Sequence, residues 1–248
     1  MKKITAIIIA KDAANSIIKT LDSVSFCNQI IVVNNDSKDD TAKIAIEKKA
    51  EVIDVSGDDF SELRNVGLKK ADSDFVLYVD SDEVVNEELK RDILRVLRED
   101  NPKSSYFVVR KNFYFGNHPW PGNEKIERLF LRNDLKTWQG RIHESPIVLG
   151  EKGILKGYLL HYTHKDLESM LNKTIEWSKI EADLRFKADH PKMSWWRFPR
   201  VMITAFLDSY FKKGGYKAGI VGIIESIFQS YRAFITYSRL WEMQQKRK

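Results

Sequence analysis

The chain has 248 residues, 43% hydrophobic and 31% charged, which is enough apolar material for a sizeable core and excludes wholesale disorder. A single cysteine, Cys27, excludes an internal disulfide and a cysteine-based zinc site, and fits a reducing compartment. The net charge of +6 is uneven: Pro191 to Lys248 holds 11 Lys+Arg against 3 Asp+Glu, or +8, and the remainder is close to neutral at −2.

The N-terminal part alternates strand and helix signals. Residues 4–10 form a short, β-branched apolar run with no small-residue cleavage site after it. They are read as a buried first strand rather than a signal peptide. Asn15 or Ser16 caps a predicted helix through Val24, residues 29–33 are a second strand, and Asp39-Asp40-Thr41 opens a helix through Lys49. A third strand over 51–55, a helix over 60–71, a fourth strand over 75–79 and a helix over 87–99 follow. This alternation predicts an α/β fold with a mostly parallel, Rossmann-like sheet covered by helices on both faces. Ligands on such sheets sit at the carboxyl ends of the strands.

Farther on, residues 105–114 read as an alternating aromatic strand. Residues 116–122 read as a turn-rich loop with Trp120 exposed, and 127–131 as a strand carrying Arg128. Residues 166–187 have the pattern of a long polar helix with one apolar stripe. Beyond it, Lys212-Lys213-Gly214-Gly215 separates two amphipathic helices. Neither is apolar enough to span a membrane, since Asp208, Glu225 and Arg232 interrupt them.

Chemistry concentrates where the strands end. Asp80-Ser81-Asp82-Glu83 follows the fourth strand. In an extended chain residues i and i+2 point the same way, so Asp80 and Asp82 could aim at one cation. Oxygen ligands of this kind suit Mg²⁺ or Mn²⁺ with phosphate oxygens completing the shell. The alternative is an acidic turn that caps the next helix. The loop after the second strand, with Asn34 and Asp36, can hydrogen-bond a base or ribose, or can simply cap a helix. Lys11 after the first strand could meet a phosphate or be solvated. Arg64-Asn65 could reach a diphosphate or lie on the surface. Trp120 and Trp138 could stack on sugar faces or pack in the core, and His161 after an apolar run is by itself an ordinary structural histidine.

Taken together, Lys11-Asp12, the Asn34–Thr41 loop, Arg64-Asn65 and Asp80-Ser81-Asp82-Glu83 resemble the family 2 glycosyltransferases of GT-A fold. Gly140-Arg141-Ile142-His143-Glu144, Leu160-His161-Tyr162 and the aromatic C-terminal helices are similar to the WaaE/KdtX-like branch that acts on lipopolysaccharide core. The second-strand loop departs from the family's usual Asp-Ser-Gly-Ser-x-Asp-x-Thr by placing an amide, Asn34, where the leading carboxylate stands.

The resemblance implies an inverting, metal-dependent transfer of a sugar from a nucleotide-sugar donor, a UDP-sugar foremost, to a lipid-linked saccharide. It implies Glu144 as general base with His143 beside it, and Asp80, Asp82 and His161 at a Mn²⁺ or Mg²⁺ ion. Lys11, Asn34, Asp36, Arg64, Asn65 and Asp80 then line the donor pocket. Residues 1–165 are expected to form the catalytic GT-A domain and 166–248 a helical, basic and aromatic extension. That extension is expected to dock on an anionic membrane surface, at the inner face of the cell membrane, with the protein otherwise cytoplasmic. Nucleic acid is not expected, because the basic residues lie between apolar positions. A nucleotidyltransferase would show an early glycine-rich phosphate loop, and residues 1–50 contain no glycine. A non-catalytic membrane- or polysaccharide-binding protein of the same fold would have no need of Asp80, Asp82 and Glu144.

Overall fold

The structure is a computed structural model that describes residues 1–141 and 144–246. They form two compact units. One comprises Met1–Lys111 with Glu124–His161, the other Asn112–Asn123 with Tyr162–Lys248.

The first unit is built on β1 (Ile4–Ala10), β2 (Gln29–Asn35), β3 (Glu51–Val55) and β4 (Phe75–Asp80), with α1 (Ile17–Ser23), α2 (Thr41–Glu47) and α3 (Phe60–Lys70) as the crossovers. Then come β5 (Glu83–Val85), α4 (Glu87–Val96), β6 (Ser105–Tyr114), β7 (His118–Leu131), β8 (Leu135–Gln139), β9 (Ser145–Val148) and β10 (Lys152–Tyr162). Eight strands make one sheet in the order β3-β2-β1-β4-β7-β6-β10-β5, and β8 and β9 form a separate ribbon. The β3-β2-β1-β4 part is parallel, and β7 joins β4 antiparallel. The expected α/β class, with a sheet flanked by helices, is what the chain forms.

The first strands read as unbroken apolar runs because both faces of the sheet are covered. Ile4, Ala6 and Ile8 pack with Val32, Leu77 and Val79 under Leu21, Leu89 and Ile93, while Ile7, Ile31, Val33 and Tyr78 pack on the other face under Leu63, Phe130 and Trp138. Full burial of an Ile or Leu side chain contributes about 1.5–3 kcal/mol. Helix α3 lies against the sheet through Gly67, where a Cβ would come within 2.4 Å of Ile7 Cγ2. Asp59 caps its start by accepting from the Ser61 and Glu62 N–H groups, and Lys69 and Lys70 close its negative end.

Two expected boundaries differ. The turn-rich stretch around Pro119 and Pro121 is the start of β7, and Trp120 within it is buried, 8% exposed, against the edge of Tyr114. The Asp80–Glu83 segment is not continuously extended: β4 stops at Asp80 and residues 81–82 form a turn.

The second unit holds α5 (Leu167–Lys187), α6 (Arg197–Leu207) and α7 (Gly219–Lys246). Asp166 and Ser169 make a reciprocal capping box at the start of α5. Met202 O accepts from Ser230 Oγ at 2.7 Å and Phe198 packs on Phe234, so α6 and α7 run antiparallel. A π-helical turn (Asp208–Lys212), a left-handed Gly214 (φ 82°) and a short 3-10 turn (Gly215–Lys217) connect them. That connection packs so tightly on α7 that a Cβ on Gly222 would sit 1.8 Å from the Gly215 carbonyl oxygen. Among the described residues, no helix is long and apolar enough to cross a membrane.

Candidate active site

The parallel strands end together, so Ala10, Asn34 and Asp54 are in register and Ile9 lies beside Asp80. Four hydrogen bonds tie the loop after β1 to the loop after β2. Asp12 N–H donates to Ser37 Oγ, Lys38 N–H to Asp12 Oδ1, Ala13 N–H to Thr41 Oγ1 and Ala14 N–H to Asp39 Oδ2. Most polar side chains of the second loop thus serve the loop itself. Asp36 stands in a left-handed conformation (φ 52°) at a position where the related pattern has glycine. It pairs with Lys38 at 2.6 Å on the surface, with Lys11 near enough to attract it. Asn34 is buried, its Nδ2 donating to Asp54 Oδ1 at 2.7 Å, and its Oδ1 has no hydrogen-bond partner. Asp54, which the sequence reading passed over, brings a carboxylate to the position where Asn34 lacks one.

At the end of β4 the charges form an alternating row. Arg64, buried on α3, donates from Nε to Glu144 Oε1 at 2.7 Å and from Nη2 to Asp80 Oδ1 at 3.0 Å. Arg128, buried on β7, donates from Nη2 to Asp80 Oδ2 at 2.6 Å and to Glu83 Oε1 at 3.3 Å. Arg110 donates to the same Glu83 oxygen at 3.2 Å and, through Nε, to Glu124 at 3.0 Å. Glu83 is 0% exposed, and its second oxygen accepts the Asp80 N–H at 2.9 Å. Burial alone raises the Asp80 pKa, but Arg128, Arg64 and Arg110 outweigh it and hold the carboxyl well below the usual carboxylate range. For Arg128, burial disfavours its charge, and Asp80 and Glu83 more than offset that.

The expected convergence of Asp80 and Asp82 is corrected by the turn at 81–82. Both Asp80 oxygens go to arginines, while Asp82 Oδ2 lies 3.3 Å from His161 Nε2. The strand register explains the second pair, because β10 aligns His161 with Glu83 and so beside Asp82. Two neighbouring ligands of an octahedral cation with bonds of about 2.1 Å lie about 3 Å apart, a spacing that this carboxylate–imidazole pair meets. Among the described residues no three His, Cys, Asp or Glu groups gather at one point, so a divalent ion here would need water or phosphate oxygens for its remaining positions.

Asn65 bonds the backbone of Trp138. Its Oδ1 accepts the Trp138 N–H at 2.8 Å and its Nδ2 donates to the Trp138 carbonyl at 3.0 Å, fixing β8 to α3. Trp138, buried, offers its ring to the Arg64 guanidinium at 4.8 Å rather than to a sugar. His143 lies outside the described residues. His164 belongs to the second unit, where its Nδ1 is 2.9 Å from Glu225 Oε2. Arg128, Glu83, Arg110 and Glu124 are the members of the row to which the sequence reading gave no role. The alternation within β6 for Arg110, the strand at 127–131 for Arg128 and the acidic run after β4 for Glu83 were the available signals.

Two buried guanidinium nitrogens in this row, Arg64 Nη1 and Arg128 Nε, have no hydrogen-bond partner. A buried donor left unpaired costs about 1–3 kcal/mol, and more when it carries charge.

The chain is similar to known proteins. Residues 5–159 match the family described as glycosyl transferase family 2. An uncharacterized glycosyltransferase of Rickettsia prowazekii (strain Madrid E), RP128, is 26% identical over 99% of this chain and 89% of its own length. The lipopolysaccharide core biosynthesis glycosyltransferase LpsC of Rhizobium meliloti (strain 1021) is 23% identical over 90% of this chain and 86% of its own. The crystal structure of S. aureus TarS 1–349 in complex with UDP-GlcNAc superposes with a TM-score of 0.48 at 12% identity, over 99% of this chain and 92% of that one. With the matched segment running from β1 into β10 and enclosing the whole charged row, the chain belongs to glycosyl transferase family 2.

Proposed function

We propose that the protein transfers a sugar, with inversion, from a nucleotide-sugar donor, a UDP-sugar foremost, to a lipid-linked saccharide of the lipopolysaccharide-core kind. The catalytic domain of this reading is residues 1–165, with 166–248 as its helical extension, and its branch is the WaaE/KdtX-like one. The observation that carries it is the bridge made by Arg64 between Asp80 and Glu144 at the carboxyl end of β4. One rigid guanidinium fixes a carboxylate from a distant loop beside the acidic end of the strand, which is the layout a direct displacement requires.

Glu144 accepts the proton of the attacking hydroxyl, and Arg64 sets its position. Arg64, with Asn65 and Asp80, stands at the diphosphate end of the donor pocket. Asn34 and Asp54 hydrogen-bond the base, and Lys11 and Asp36 lie at the outer edge of the donor pocket. Asp82 and His161 hold Mn²⁺ or Mg²⁺, which supplies charge neutralisation for the departing nucleoside diphosphate. The name of the LpsC relative supports a lipopolysaccharide-core acceptor.

The test is UDP release from a panel of UDP-sugars with Mn²⁺ and no acceptor, read beside calorimetric binding of UDP. Slow hydrolysis of one donor, lost in Asp82→Ala and on chelation, is expected. A protein that binds no nucleotide, or that hydrolyses donors equally well in EDTA, overturns the reading.

A further inference from the structure

Helix α7 buries polar groups beside apolar ones. Its inward residues are Gly222, Glu225, Ser226, Phe228, Thr236 and Leu240, with Glu225 only 2% exposed and held by His164 and Gln229. Its outward residues are Ile220, Ile223, Ile224, Ile227, Tyr231 and Phe234, at helical spacing along one face, with Ile220 76% and Ile227 56% exposed. Water is the wrong solvent for such a helix. Helix α6 carries a second stripe: Trp196 at its start, Ile203 two turns on, and Leu207 and Phe211 at further steps of four residues all face outward, and Trp195 before them is 84% exposed. Solitary exposed apolar residues are ordinary, but two continuous stripes are not.

The charges around the stripes select what covers them. From Trp195 to Ile224 there are five basic residues, Arg197, Arg200, Lys212, Lys213 and Lys217, and one acidic residue, Asp208. Asp208 is already engaged by Lys212 and Lys213. A second copy packed face to face would set this cluster against itself, since a two-fold contact opposes each patch to its own image. An anionic lipid surface complements it. Tryptophan at the entry, lysine at the helix break and isoleucine along the face are the composition of helices that lie in a bilayer interface. We infer that the outward stripes of α6 and α7 insert into the headgroup region of an anionic membrane, with the basic residues on lipid phosphates. None of its residues is one of those proposed for sugar transfer, and its test needs neither donor nor acceptor.

The probe is flotation of the full chain with vesicles of phosphatidylcholine alone or mixed equally with phosphatidylglycerol. Binding to the mixed vesicles at low salt, weakened by added salt, is expected. The doubly substituted Ile220→Glu/Ile227→Glu should lower partitioning by a factor on the order of 10² or more. Both residues are exposed, so circular dichroism and thermal midpoint should not change. Lys213→Glu/Lys217→Glu should weaken binding to the mixed vesicles only. The inference is overturned if the chain stays unbound to anionic vesicles at low salt or floats equally well with neutral ones. A discrete dimer in ultracentrifugation that Ile220→Glu/Ile227→Glu dissociates also overturns it and makes the face a subunit contact.

Discussion

In β1 every residue from Ile4 to Ile8 is buried, whereas along α7 the isoleucines face outward and Glu225, Ser226 and Thr236 face in. The first region puts hydrocarbon in the middle and gathers its charges, paired, at the ends of the strands. The second buries Glu225, Ser226 and Thr236 beside Phe228 and Leu240 and leaves a row of isoleucines outside. Apolar periodicity alone therefore marks a face as apolar without naming the neighbour that covers it. In the first unit that neighbour is the same chain.

The largest effect is expected where the first region's charges do chemistry. Glu144→Gln retains an acceptor for Arg64 Nε but loses basicity, so turnover should fall by a factor on the order of 10²–10⁴ with UDP affinity unchanged. An equal loss of nucleotide binding would move Glu144 out of the base role. Next is the structural side of the same row. Arg128→Met leaves Glu83 and Asp80 without their common partner in a buried place, and urea denaturation should show a loss of about 3–5 kcal/mol. A neutral result would show that water already reaches the row.

The comparison itself is tested by making one substitution in both regions. Ile8→Ala should cost about 2–5 kcal/mol in denaturation, while Ile220→Ala should stay within about 0.5 kcal/mol. Similar costs at both sites would mean that α7 is covered within the isolated protein.

The smallest effect concerns acid stability. Burial raises the Asp92 pKa, but hydrogen bonds from Arg95 and from the Lys156 N–H outweigh it and lower the pKa overall. A depressed pKa adds stability above the unfolded value of about 3.9 and loses it as pH falls through the folded one. Asp92→Asn should therefore be less stable than the parent by about 1–3 kcal/mol at neutral pH. The gap should narrow as pH falls below the unfolded value and through the lowered folded one.

The parallel half of the fold was legible because residues 4–10, 29–33 and 75–79 are apolar on both faces, which leaves few other readings. Strand β7 was half missed, since Pro119, Pro121 and Gly122 look like a turn. Yet Trp120 there packs on Tyr114, and packing outranks local preference. Strand β5 was missed because it has three residues and begins with the buried Glu83. At the site, the sequence supplied Arg64, Asp80, Glu144, Asp82 and His161 as members. It could not supply their pairing, which depends on the turn at 81–82 and on the register that sets His161 opposite Glu83. Asn65 and Trp138 were read toward ligand, but each satisfies the other or Arg64.

The row from Glu144 through Arg64, Asp80, Arg128, Glu83 and Arg110 to Glu124 also has a consequence for descent. A single replacement inside it strands a neighbour's charge away from water, and only a second replacement next door relieves the penalty. These positions therefore cannot drift one at a time. A stable variant of the row is expected to exchange adjacent members together, so that the order of signs outlasts the identity of any one residue.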